Sequence, residues 1–143
     1  ITNATGFDLP HIRDGLKHLT KSDEIWAKLD AGTQQYLNKL ARPNNVSLDK
    51  VLSNILLIAR HRPVVIQSLF PAINDEEPPL LEIEEYAHRL RELREAGAQI
   101  SLVQIYSATR PMFHAECGHL SLKVLSHIAQ SVRQISGLKA EVF

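Results

Sequence analysis

Apolar positions along the chain alternate between two periods, one near 2 and one near 3.6 residues, and the alternation predicts strands and helices in turn. Ile25, Ala27 and Leu29 alternate with Trp26, Lys28 and Asp30, a strand pattern that Gly32 and Thr33 break. Val64 to Phe70 is β-branched and nearly continuous, as in a strand covered on both faces. Ile100 to Tyr106 and Leu138 to Phe143 read as two more strands, and Ile1 to Thr5 as the tail of another. Between them, helical spacing links Ile12, Leu16 and Leu19, with Asp8 as the expected N-cap and Pro10 in the first turn. A short helix is expected through Tyr36, Leu37 and Leu40. Ser47 should cap a helix carrying Val51, Leu52, Ile55, Leu56 and Ala59 that Pro63 ends. The clearest stripe joins Ile83, Tyr86, Ala87, Leu90 and Leu93 from about Leu80 to Ala96, with Gly97 placed as a C′ residue. Ser121 should cap a last helix bearing Val124, Leu125, Ile128, Val132 and Ile135, closed by Gly137. Turn-rich residues from Arg42 to Asn45 and from Pro71 to Pro79 read as loops, as does the stretch from Tyr106 to His119.

Strands separated by full helices return the chain to the same end each time, which demands a parallel sheet. The predicted class is therefore α/β, built of consecutive βα units. In such sheets, barrel or open, chemistry gathers at the carboxyl ends of the strands. Those ends read Thr2 to Thr5, Lys28 to Thr33, Gln67 to Phe70 and Gln104 to Pro111, and all place polar side chains where an apolar strand stops.

Composition narrows the class of function more than its identity. The 143 residues suit one domain with its own core, and 44% hydrophobic with 22% charged residues is ordinary globular usage. Lys plus Arg and Asp plus Glu are equal at 16 each, so the basic excess expected of a nucleic-acid binder is missing. Apolar runs such as Val64 to Phe70 are too short to span a bilayer, and no basic segment followed by an apolar stretch opens the chain. One cysteine, Cys117, permits no internal disulfide and fits a reducing compartment, so a cytoplasmic protein is expected. The chain opens on Ile1 inside an apparent strand end, which suggests a piece of a longer polypeptide.

Lys28 and Asp30 are two apart and share a strand face with Trp26. A Lys and an Asp projecting together inward are costly unless they pair with each other or with a ligand. Two readings follow: a structural ion pair at the sheet end, or contacts to the carboxylate, ammonium or ribose hydroxyls of a polar ligand. Gln67 and Gln104 carry the same ambiguity. Arg110, close after Tyr106, either recognises a substrate anion or caps its turn. His114, Glu116, Cys117 and His119 crowd one loop, but their order matches no common zinc spacing, and no metal site is expected. Phosphate loops and nucleophile elbows are likewise missing from the sequence.

Four strand ends in order carry a resemblance: Ile1-Thr2-Asn3-Ala4-Thr5, then Trp26-Ala27-Lys28-Leu29-Asp30-Ala31-Gly32-Thr33, then Gln67-Ser68-Leu69-Phe70 with Asn74-Asp75, and Val103-Gln104-Ile105-Tyr106 with Thr109-Arg110-Pro111. They resemble the later part of radical S-adenosylmethionine enzymes, over most of the chain. The resemblance implies a TIM-like (β/α)6 partial barrel, with a [4Fe–4S] cluster on a CxxxCxxC loop that cleaves the cofactor to a 5′-deoxyadenosyl radical. It places Ile1 at the third strand and Lys28 and Asp30 at the fourth, against the ribose or methionine part of S-adenosylmethionine. Asn3, Gln67 and Gln104 would line the same cavity, with Tyr106 and Arg110 toward substrate. Neither the CxxxCxxC loop nor a Gly-Gly-Glu-like turn occurs in this chain, and a cluster needs its thiolates.

The expectation is a single domain over residues 1–143, the C-terminal portion of such an enzyme. It would contribute part of the S-adenosylmethionine and substrate cavity, hold neither cofactor by itself and be inactive alone. Its partner would be the missing N-terminal segment, or a second copy covering exposed sheet edges. The alternative is a complete non-enzymatic α/β binding or assembly module. A third possibility, a hydrolase or aldolase barrel using Lys28 as nucleophile, lacks a base constellation.

Overall fold

The computed structural model describes residues 1–41, 46–108 and 117–143. In order, the elements are α1 (Pro10–Leu16), β1 (Ile25–Lys28), α2 (Gln34–Ala41), α3 (Leu48–Ala59), β2 (Val64–Leu69), β3 (Ala72–Ile73), α4 (Leu80–Glu95), β4 (Ile100–Tyr106), β5 (Cys117–Gly118), α5 (Leu122–Ser136) and β6 (Ala140–Val142). Strands β1, β2, β4 and β6 lie side by side in that order, and every pairing is parallel. Thr2 adds a parallel bridge to Ala27 beyond β1, the one paired remnant of the strand expected over Ile1 to Thr5.

Alternate strand residues separate the sheet's two faces. Ile25, Ala27, Ile66, Val103, Ile105 and Ala140 turn toward α3, α4 and α5 and join their apolar stripes in the main core. Ile66, Val103 and Ile105 are fully buried there, against Ile55, Leu90 and Ile128. The opposite face presents Trp26 and Lys28, Gln67 and Leu69, Gln104 and Tyr106, and none of them enters that core. This is the α/β architecture of part of a TIM-like partial barrel: helices outside, a partly open inner face.

The caps form largely as expected. Ser47 Oγ accepts from Lys50 N at 3.1 Å and Ser121 Oγ from Val124 N at 3.3 Å. Gly137 closes α5 in the left-handed region at φ 69°, where a Cβ would be strained. The first helix differs from its prediction. It begins at Pro10 behind Leu9, with no side-chain cap, and none of its residues is buried. Asp8 instead accepts from the Asn54 side chain at 3.2 Å and pairs with Lys50 at 3.3 Å, so α3 takes up the carboxylate meant for a cap. Leu19 lies beyond the end of α1, so the stripe through Ile12, Leu16 and Leu19 is not one helical face. The loop read over Pro71 to Pro79 contains β3, which pairs antiparallel with β5. That ribbon escapes pattern reading because a two-residue strand has no period.

Candidate site on the inner face of the sheet

Strand register builds the site. Lys28 pairs with Gln67, Gln67 with Gln104, and Gln104 with Glu141, so one polar row crosses all the strands of the parallel sheet. Residues in register share a face. Gln67 Nε2 donates to Gln104 Oε1 at 2.9 Å, which satisfies one amide edge on each residue and leaves the other pair of polar atoms without a protein partner among the described residues.

Above this row, toward the carboxyl ends, sit Asp30 and Tyr106. Lys28 Nζ lies 3.2 Å from Asp30 Oδ1 and donates to the Tyr106 hydroxyl at 3.0 Å. It is also 5.4 Å from the Tyr106 ring centroid, within the range of a cation–π contact. Asp30 Oδ1 accepts from Leu69 N at 2.8 Å, fastening the end of β1 to β2. The Lys28 and Asp30 side chains keep 28% and 17% of their exposure, so the pair is mostly sheltered with a small part left exposed. Burial opposes the Lys28 charge, but Asp30 and the Tyr106 hydroxyl outweigh it and hold the Lys28 pKa above its ordinary value. For Asp30, burial is the largest influence; it pushes the carboxyl pKa up, against the pull of Lys28 and the Leu69 amide. The result is a preorganised cluster of Lys28, Asp30 and Tyr106 at the carboxyl ends of the strands.

Of the residues predicted from the sequence, Lys28, Asp30, Gln67, Gln104 and Tyr106 come together. Asn3 does not join their hydrogen bonds: it is exposed, and its side-chain oxygen accepts from Thr5 N at 3.2 Å and from Thr5 Oγ1 at 2.8 Å. Arg110, His114 and Glu116 lie outside the described residues, while Cys117 belongs to β5 and His119 Nδ1 contacts the Ala108 carbonyl at 3.0 Å. Among the described residues no cluster of three His, Cys, Asp or Glu is arranged to hold a metal. No helix among them is long and apolar enough to cross a membrane. A cleft of about 650 Å3 opens at the amino ends of the strands, beside Leu19, Glu24, Arg62 and Ser101. It includes none of the predicted site residues.

Sequence reasoning missed Glu82 and Glu141. Glu141 extends the polar row, and the period-2 pattern of β6 contained that signal. Glu82 is buried at 4% exposure on α4, next to the apolar stripe. Its Oε1 accepts from Gly32 N at 2.5 Å and its Oε2 from Thr33 Oγ1 at 2.6 Å. Thr33 Oγ1 also accepts from Tyr36 N at 3.1 Å, capping α2. Burial is the main reason the Glu82 pKa rises, with Thr33 and Gly32 acting in opposition. In sequence, Leu81 and Ile83 on either side masked it.

Comparison with known proteins gives one kind of relationship, that of fold. No protein-family model matches the chain, and no curated protein matches it. Among solved structures, a domain of pyruvate-formate lyase-activating enzyme from Bacteroides vulgatus ATCC 8482 superposes with a TM-score of 0.66. The two are 17% identical, and the match covers 94% of this chain and 74% of that one. At that identity the likeness shows the shared α/β fold alone.

Proposed function

We propose that the chain is the C-terminal portion of a radical S-adenosylmethionine enzyme and supplies part of its cofactor and substrate cavity. The observation that carries this reading is the Lys28–Asp30 pair standing beside the Gln67–Gln104 amides on the uncovered face of a parallel sheet. The fold likeness to a domain of an activating enzyme supports it, as do the strand-end motifs.

The cofactors fit unequally. With a single cysteine in the sequence, these residues cannot supply the thiolates of a [4Fe–4S] cluster, and no step is assigned to one here. S-adenosylmethionine fits better. Lys28 would meet its carboxylate, Asp30 its ammonium or ribose hydroxyls, and the amides of Gln67 and Gln104 its remaining polar edge. When bound in a complete enzyme it would supply the radical chemistry. This chain's own residues bind and orient: Asp30 holds the Lys28 ammonium in place, Tyr106 limits its swing, and the sheet screens one side from water. Tyr106 and Arg110 would stand on the substrate side.

In this reading the remaining barrel wall comes from an N-terminal segment of the same cytoplasmic protein, and the piece alone is inactive. The test is the reading frame preceding the Ile1 codon. An in-frame segment encoding CxxxCxxC, in a protein that forms 5′-deoxyadenosine under reducing conditions, supports the proposal. A native start at Ile1 overturns it and favours a self-contained binding module whose sheet edges a second copy covers.

A further inference from the structure

The grip that α4 holds on the turn after β1 has a consequence for the inner face. Glu82, Tyr86 and Arg89 stand at i, i+4 and i+7, on one side of the helix. Between them they hold the Gly32 peptide from both ends: its N–H donates to Glu82 Oε1 at 2.5 Å, and its carbonyl accepts from Arg89 Nε at 3.3 Å. The Tyr86 backbone presses against Gly32 itself, and a Cβ there would lie 2.1 Å from Tyr86 N. The same helix reaches β2, because the Tyr86 hydroxyl and Ser68 Oγ are 2.5 Å apart, and Ser68 sits between Gln67 and Leu69. Thus α4 fixes the end of β1 and the end of β2 relative to one another. Asp30 lies two residues before Gly32, about 7 Å of extended chain, too short a tether to absorb a shift of the turn.

We propose that Glu82 is a positioning residue for the inner-face site: by anchoring the Gly32–Thr33 turn it sets where Asp30, and through it Lys28, present their charges. This rests on the ligand-binding reading above. Within the first half of the KLDAGT segment lie the groups that meet a ligand; within the second half lies the key that α4 locks. Glu82 touches no ligand itself. Its carboxylate is satisfied wholly by the turn, through Gly32 N, Thr33 N and Thr33 Oγ1.

The test uses the protein encoded by the complete reading frame carrying Glu82→Gln, compared with Ser121→Ala, which removes a cap on α5 remote from the site. Two readouts are taken once circular dichroism shows a native fold: titration of the Asp30 carboxyl by carbon-detected NMR, and S-adenosylmethionine binding followed by shifts of the Gln67 and Gln104 side-chain amides. The expected result is a moved Asp30 titration and about tenfold or greater loss of binding in E82Q, with neither change in S121A. An Asp30 titration in folded E82Q identical to that of the unaltered chain overturns the proposal. If E82Q does not fold, Thr33→Ala, which keeps the Gly32 contact, carries the same test. If Asp30 moves while S-adenosylmethionine does not bind the unaltered full-length protein, the positioning role stands and the ligand reading fails.

Discussion

The two faces of the central sheet are built from the same strands, yet they differ in what their side chains answer to. On the helix-covered face, Ile66, Val103 and Ile105 are fully buried and contribute packing. On the inner face, the intervening residues are Gln67, Gln104 and Tyr106, whose hydrogen bonds run to one another and to Lys28 rather than to any covering layer. Buried amides and charges cost stability unless partnered, and here the partnering is incomplete on the open side. That difference assigns stability to one face, and the other is where the proposed ligand contacts lie.

Ile66→Ala against Gln67→Ala is the sharpest way to break this division, since the two residues are adjacent and point opposite ways. Ile66→Ala leaves a cavity in the sealed layer and should lower unfolding free energy by about 2–5 kcal/mol. Gln67→Ala removes one side-chain hydrogen bond to Gln104 and should lower it by only about 1 kcal/mol. Urea denaturation of both variants decides the matter, and similar losses would erase the distinction. Next in size is Gly32→Ala. Its Cβ would meet the Tyr86 backbone at 2.1 Å, so a loss of about 3 kcal/mol is expected, together with a disturbed Asp30 signal. An Ala tolerated there without cost would show that α4 does not lock the turn.

The smallest effect is a pH dependence. The Glu82 pKa is raised above its ordinary 4.5, mainly by burial. The folded state therefore holds this proton more tightly than the unfolded chain does. Stability from this group is full below pH 4.5 and declines as pH climbs through the raised folded value. Glu82→Gln has no proton to lose, so its stability should fall less over that window, with the decline from Asp30, shifted in the same direction, left in place. Unfolding midpoints measured across the window check the sign, and a steeper decline in E82Q would reverse it.

How much of this was legible beforehand depends on the range of the interaction. The β2 and β4 segments, both helix caps at Ser47 and Ser121, and α4 nearly to its ends follow from local period and turn chemistry, and the parallel sheet follows from their order. Lys28 and Asp30 sharing a side with Gln67 and Gln104 was also within reach, because alternation is local. What period could not reveal was any partner chosen across the fold. Asp8 went to Asn54 and Lys50 instead of capping α1, β3 and β5 were too brief to show a pattern, and the partner of Glu82 is a backbone amide fifty residues away. The Gly-Thr of KLDAGT read as a strand breaker; its second role needed the position of α4.

One binding experiment bears most directly on the account. S-adenosylmethionine is titrated into the protein encoded by the complete reading frame, unaltered and with Lys28→Ala or Asp30→Asn. The inner-face assignment predicts that both substitutions weaken binding by about tenfold or more, because a charge-assisted contact of about 1.5–3 kcal/mol is lost while the helix-covered core stays intact. Affinity unchanged in both variants would contradict it.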